Sequence, residues 1–249
     1  MHYAIHHIDK VISTNDLAFE VCAEKEPEEG TVYVAYEQTA GKGYHDNIWV
    51  SEKGKNLTMS LVLCPGFINP SEQFVITQLI SLATADTLKT LIPEHLIRIK
   101  WPNDLYINEA KVGGILVQNS IMGDRIEYTV VGIGLNVNQR EFPESLPNPV
   151  SVGGYTNKDY ELDDVLKSLL HYINVRYTGV SKYPDRKQLQ DEYLKNLYRY
   201  QELAAFKDKD GIYNGRITDV DAYGRLEITA QNGAKKYYNF KEVEFVLTN

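Results

Sequence analysis

Lys100-Trp101-Pro102-Asn103-Asp104-Leu105-Tyr106-Ile107-Asn108-Glu109-Ala110-Lys111-Val112-Gly113-Gly114-Ile115-Leu116 is the stretch that decides the fold of this chain. Leu96 to Trp101, Leu105 to Asn108 and Val112 to Asn119 are short apolar runs divided by turn residues, which reads as consecutive strands of one sheet. Around this hairpin stand two lysines, a carboxamide and a carboxylate: Lys100, Lys111, Asn103 and Asp104. Strand interiors have little use for such a set. Taken singly, each residue fits a solvated surface charge; taken with the motifs below, they mark a site.

Working outward, Ile126 to Val137 continues the sheet, and Leu57 to Leu63 and Val32 to Glu37 precede it as strands. Asn69-Pro70-Ser71-Glu72 opens a long helix in which Val75, Leu79, Leu82 and Ala83 recur at helical spacing. Ser13-Thr14-Asn15-Asp16 supplies cap residues ahead of a helix over Leu17 to Lys25, and Thr39 to Asn47 is a loop. Beyond Pro143, Pro147 and Pro149, the apolar positions Leu162, Val165, Leu166, Leu169 and Ile173 mark an amphipathic helix, and another is expected over Lys187 to Tyr200. These helices cover one face of the sheet. From Ala204 the apolar residues shorten to strand periods at Leu226, Ile228 and Ala230, with turns at Lys209-Asp210-Gly211, Tyr223-Gly224 and Asn232-Gly233. The tail therefore reads as a small β-barrel, giving units at 1–203 and 204–249 that pack together through a short linker.

Composition limits the partners. Of 249 residues, 26 are basic and 34 acidic, so the net charge is -8 and no global field favours nucleic acid or an anionic membrane. The start lacks a signal-peptide pattern, and no apolar run reaches the ~18 residues of a membrane span. Cys22 and Cys64 lack a metal-ligand spacing and read as thiols of a reducing cytosol. No zinc template fits the histidines.

Two further motifs carry chemistry. In Glu37-Gln38-Thr39-Ala40-Gly41-Lys42-Gly43 two glycines flank a lysine just after a strand, so backbone N–H groups and an ammonium can close on an anion; the competing reading is a flexible turn. Asp46 stands where the third glycine of a dinucleotide fingerprint would be, and there is no P-loop. Trp49 offers a face for a purine or is ordinary core. Gly132-Ile133-Gly134-Leu135-Asn136-Val137-Asn138 ends an apolar strand with two carboxamides, suited to reading an adenine edge or to stabilising a turn.

Ser13-Thr14-Asn15, the Gln38 to Gly43 run, Lys-Trp-Pro-Asn-Asp, Lys111-Val-Gly-Gly-Ile-Leu and the Gly132 to Asn138 run stand in the order seen in biotin protein ligases, and the chain resembles the short form of that family. The resemblance implies an α+β fold, a class II synthetase-like mixed sheet packed with helices and followed by a small SH3-like β-barrel. It also implies two steps: biotin and ATP give biotinyl-5′-adenylate and pyrophosphate, and a carrier lysine then takes the biotinyl group. By position, Ser13, Thr14, Asn15, Gln38, Gly41, Lys42, Gly43, Tyr44 and Lys111 border biotin, while Trp49, Lys100, Asn103 and Asn136 hold ATP. Lys111, Lys42 and Asp104 are the catalytic set, with Asp104 also a candidate for Mg²⁺ and for the acceptor amine. The implied partner is the biotin carboxyl carrier domain of acetyl-CoA carboxylase or a related carboxylase, in the cytoplasm. The motifs begin almost at Met1, leaving no room for the DNA-binding domain of the repressor form, so neither DNA nor membrane is expected; a homodimer through an apolar sheet edge stays open.

The chain also departs from the family. Where a loop commonly carries arginines, it has Tyr44-His45-Asp46-Asn47-Ile48-Trp49. A hydrogen bond to a charged group is worth about 1.5–3 kcal/mol, so losing one guanidinium contact would loosen the adenylate by roughly one to two decades. Tyr44 is left to cover the site with its ring. In the tail, Val246 stands where the repressor form has an arginine, so no catalytic residue is expected there. Two alternatives remain: a lipoate-type acyl-adenylate ligase, whose Arg-Arg and Ser-Gly-Gly-Gly signatures are absent, and a non-catalytic sensor of biotin or its adenylate.

Overall fold

The structure is a computed structural model that describes residues 1–44, 47–183 and 185–246. Ala4–Val11 (β1) and Thr31–Gln38 (β2) pair in parallel, with Thr14–Glu24 (α1) crossing between them. Gly41–Lys42 (β3) and Ile48–Trp49 (β4) form a small antiparallel ladder inside the expected loop. Leu57–Leu63 (β5) is followed by Phe74–Lys89 (α2), Ile97–Lys100 (β6), Asp104–Ile107 (β7), Ala110–Met122 (β8) and Arg125–Leu135 (β9).

These build a seven-stranded sheet in the order β1-β2-β5-β9-β8-β7-β6, antiparallel except for the first pair. Every residue of β5 is buried, because this inner strand is covered on both faces. α1 packs over Val62, Tyr128 and Val130 on one face. The opposite face, with Leu61, Leu63, Val131 and Ile133, belongs to the main core beneath α2. Helices thus cover both faces, not one.

Val152–Thr156 (α3) is too short and glycine-rich to be read from periodicity. Leu162–Lys182 (α4) follows its apolar stripe, burying Leu166, Leu169, Ile173 and Tyr177 toward the core. Lys187–Asn196 (α5) stops short of the expected Tyr200, because Leu197 turns extended and bridges to Ile99. At the other end, α1 starts at Thr14 rather than Leu17: Ser13 is its N-cap, its hydroxyl accepting from the Asp16 N–H at 3.4 Å. Pro70–Glu72 is a separate 3-10 turn before α2.

From Ala204 the chain forms Ala204–Asp208 (β10), Gly211–Val220 (β11), Leu226–Ala230 (β12), Lys235–Tyr238 (β13) and Glu244–Phe245 (β14). They make a five-stranded antiparallel sheet in the order β13-β12-β11-β10-β14. Phe206, Ile217, Leu226 and Ile228 belong to the same buried cluster as the large sheet, so the core is continuous through the join. Trp101 Nε1 donates to the Gly224 carbonyl at 2.9 Å, and Gln190 Nε2 to Asp219 Oδ1 at 2.8 Å and Val220 O at 2.7 Å.

Candidate active site

A cavity of about 100 Å³ opens over β5, β8 and β9 at the N-terminus of α1. The sequence puts polar residues there in layers. Ser13, Thr14 and Asn15 form the cap and first turn of α1, where backbone N–H groups lack helical partners. Gln38 closes β2 beside them: its Oε1 accepts from the Thr14 N–H at 2.7 Å and the Thr14 hydroxyl at 3.1 Å. Ser60, on the buried central strand, donates to Thr14 Oγ1 at 2.8 Å. Asn15 differs from this satisfied group. It is 4% exposed, lines the cavity against Gly132, and neither end of its carboxamide has a hydrogen-bond partner.

The β7–β8 hairpin supplies the charges. A register shift between Leu105 and Tyr106 lets Asp104 and Lys111 meet diagonally, with Lys111 Nζ 2.7 Å from Asp104 Oδ1. Asp104 faces Gly114 across the ladder, and a Cβ there would lie in ordinary van der Waals contact with Lys111, Asp104 and the Trp49 ring. Lys42, on β3, is held by Asp16 of α1 at 2.6 Å. Each cavity lysine is therefore paired with a carboxylate, and each pair is partly exposed, so an arriving anion can compete for the ammonium.

Trp49 lies flat on the sheet because β9 leaves it room: a Cβ at Gly134 would overlap the indole. Its Nε1 is buried with no partner, and Lys111 Nζ sits 5.8 Å from the ring centre. Tyr44 and Gly43 line the cavity; Gly41 sits behind it, paired with Trp49 in the β3–β4 ladder. His45 and Asp46, on which the expectation of a loosened adenylate partly rests, lie outside the described residues.

Two expected nucleotide residues are not brought to this cavity. Lys100 closes β6, where Ile97 and Ile99 point into the core and Arg98 and Lys100 to the other side. Its ammonium donates to Tyr106 Oη at 3.1 Å and lies 5.3 Å from the Phe245 ring centre, beneath the C-terminal unit. Burial pushes Lys100 below the usual lysine range; Asp104 opposes this, while Lys111 and Arg199 add to it. Asn136 follows β9 and donates to the Val150 carbonyl at 3.1 Å, its Oδ1 buried without a partner. Asn103, by contrast, lines the cavity, its side-chain amide donating to the Ile115 carbonyl.

Sequence reasoning missed Asp16 as the partner of Lys42, Ser60 behind Thr14, and Phe240. The last comes from the C-terminal unit, where no site residue was expected, yet it lines the cavity with its ring centre 4.6 Å from that of Tyr44. Only Asp16 carried a signal, as the acid of the α1 first turn. Among the described residues, no cluster of three or more potential metal ligands occurs.

Two ammoniums beside a helix N-terminus suit a pair of anions such as a carboxylate and a phosphate, and the comparisons with known proteins place this arrangement among the ligases. The chain belongs to the Biotin/lipoate A/B protein ligase family, whose sequence profile matches residues 8–136. It is 30% identical over 238 residues to the Bifunctional ligase/repressor BirA of Bacillus spizizenii, covering 93% of this chain and 71% of that protein. It is 34% identical over 149 residues to the Biotin--[acetyl-CoA-carboxylase] ligase of Paracoccus denitrificans, covering 56% of this chain and 60% of that one. Among solved structures, the biotin protein ligase from Aquifex aeolicus in complex with biotin and ATP superposes with a TM-score of 0.79 at 26% identity, covering 98% of this chain and 99% of that chain.

Proposed function

We propose that the chain is an ATP-dependent biotin ligase that works through biotinyl-5′-adenylate and transfers the biotinyl group to a lysine of a carrier protein. The observation that carries this reading is Asn15: a buried carboxamide with donor and acceptor both unpaired, lining the cavity. An unmet buried polar group costs about 1–3 kcal/mol, and a cyclic urea, with N–H and C=O side by side, relieves both ends at once. Ser13, Thr14 and Gln38 complete the walls of that subsite.

In the first step a biotin carboxylate oxygen bonds to the α-phosphorus of ATP and pyrophosphate leaves. Two anions must approach, so Lys111 and Lys42 exchange their carboxylate partners for substrate oxygens and hold them in line. Trp49 offers the purine a flat face. Mg²⁺ would neutralise phosphate charge, and the Asp104 carboxylate and the Asn103 side-chain oxygen are the groups that would hold it alongside the phosphates. In the second step the acceptor amine bonds to the acyl carbon, AMP leaves, and Asp104 is positioned to take the proton. The acceptor we expect is the biotin carboxyl carrier domain of acetyl-CoA carboxylase or a related carboxylase; the name of the Paracoccus relative gives acetyl-CoA carboxylase as that enzyme's target. For Lys100 the observations support anchoring of the C-terminal unit rather than a phosphate contact.

The test is biotin-dependent exchange of labelled pyrophosphate into ATP, followed by incubation with cell extract. Exchange with biotin and labelling of a carrier lysine is the expected result. Exchange with lipoate alone would make this a lipoate-type enzyme, and tight biotin binding without exchange would make it a sensor.

A further inference from the structure

The cavity of about 100 Å³ that holds the Lys111–Asp104 pair is small beside the roughly 300–1,000 Å³ usual for ligand clefts. Beside it lies a second cavity of about 260 Å³, running along β8 past Phe74, Val117 and Asn119 to Tyr223. The same residues separate the two cavities and line both: Tyr44, Asn103, Ile115 and Phe240. Asn103 and Ile115 are the fixed part, tied by the Ile115 N–H to the Asn103 carbonyl at 3.0 Å and by the Asn103 side chain to the Ile115 carbonyl. Tyr44 and Phe240 come one from each unit and meet edge to face, at 84°. A ring contact between two units can part without unfolding either.

We infer that Phe240 is a positioning residue of this ligase: with Tyr44 it forms a two-ring gate between the adenylate cavity and an outer vestibule. Shut, the gate keeps the adenylate in and water out. Open, it admits the acceptor lysine. This rests on the adenylating activity proposed above. The chemistry requires such a barrier, because the mixed anhydride reacts with water as well as with amines. The vestibule suits a lysine: Phe74, Val117 and Phe240 give its methylenes apolar walls, and Asn103 and Asp104 stand at the inner end for its nitrogen. A gate made partly by the C-terminal unit also gives the chain a means of retaining the adenylate despite its lack of loop arginines.

The experiment uses the full-length chain. Pyrophosphate exchange by the unmodified protein tests the underlying activity on its own, and its absence would overturn the reading on which the gate rests. With exchange established, biotinyl-adenylate is formed in place and its release is timed in Phe240→Ala, Tyr44→Ala and the double variant. An edge-to-face pair is worth about 0.5–1.5 kcal/mol, so release should quicken roughly three- to tenfold in each single variant. The double variant should be no faster than the singles, because one gate cannot be removed twice, and Phe240→Tyr should restore slow release. Should Phe240→Ala unfold, Phe240→Leu keeps the bulk without the ring and is read the same way. Unchanged release, or single effects that simply multiply, would overturn the gate.

Discussion

Among the described residues Lys111 pairs with Asp104, in the cavity where we propose that both reacting anions meet. Lys111→Ala should cut pyrophosphate exchange by about a hundredfold to a thousandfold, the usual cost of removing a group that meets developing charge; normal exchange would show that the central cation is elsewhere. Trp49 gives a second prediction. Because a Cβ at Gly134 would overlap the indole, Gly134→Ala should tilt the ring and raise the KM for ATP about tenfold, with a smaller change in the KM for biotin. An unchanged ATP KM would remove Trp49 from the nucleotide site. At this scale the sequence was readable where chemistry repeats a motif: the α1 cap, the Gly-Lys-Gly turn and the hairpin converge on one cavity. Ser60 was hidden by its surroundings, one hydroxyl in a strand buried throughout. Phe240 was hidden by distance, since nothing near Asn239 or Lys241 suggests that the chain returns to a site begun at Ser13. Lys100 could have been placed from alternation, because Ile97 and Ile99 commit it to the opposite side.

Elements followed the same rule. α4 was legible because seven buried residues repeat at helical spacing, and β5 because five of its seven residues are apolar. β1 was not: this edge strand, with His6, His7, Asp9 and Lys10, is mostly exposed, and its parallel partner lies beyond a whole helix. The helical layer also holds a charge cluster. Arg176 of α4 donates to Asp86 of α2 at 2.6 Å and to Glu192 of α5 at 2.6 and 3.1 Å. Those hydrogen bonds hold Glu192 below the usual carboxylate range; burial opposes the Arg176 charge, and its two acidic partners restore it. Glu192 is 39% exposed and hence partly screened, so Arg176→Met should cost about 2–3 kcal/mol, less than a fully buried pair. At this chain length that lowers the Tm by roughly 5–10 °C. A carboxylate with a depressed folded pKa stabilises above its unfolded value, about 4.3, and loses that contribution as pH falls through the folded value. The Tm gap between parent and variant should therefore be full at pH 7 and shrink below about pH 4.3. A gap constant down to pH 3 would assign the loss to packing of the arginine stem instead.

For the whole molecule, the question is whether the tail is an appendage or part of the enzyme body. The buried cluster runs from β5 and α2 through Tyr193 and Leu197 into Phe206, Ile217 and Leu226 without a polar break. We expect a core continuous across both units to couple their unfolding. Gly224 stands at the join: its φ is +86°, a side chain there would overlap the Phe74 ring, and its carbonyl receives the Trp101 indole N–H. Trp101 belongs to the segment that also carries Asn103 and Asp104, so the tail is fastened directly to the hairpin that lines the cavity. Gly224→Ala imposes backbone strain and a steric clash together, about 2–4 kcal/mol. The parent should melt in one calorimetric transition, and the variant should show an earlier shoulder as the C-terminal sheet loosens. Phe240 travels with that sheet, so adenylate release should quicken in the same variant although no residue touching the substrates has been changed. A shoulder without faster release would mean that the tail is held by the join but does not close the site; a single unshifted transition would mean that the two units are not coupled at Gly224.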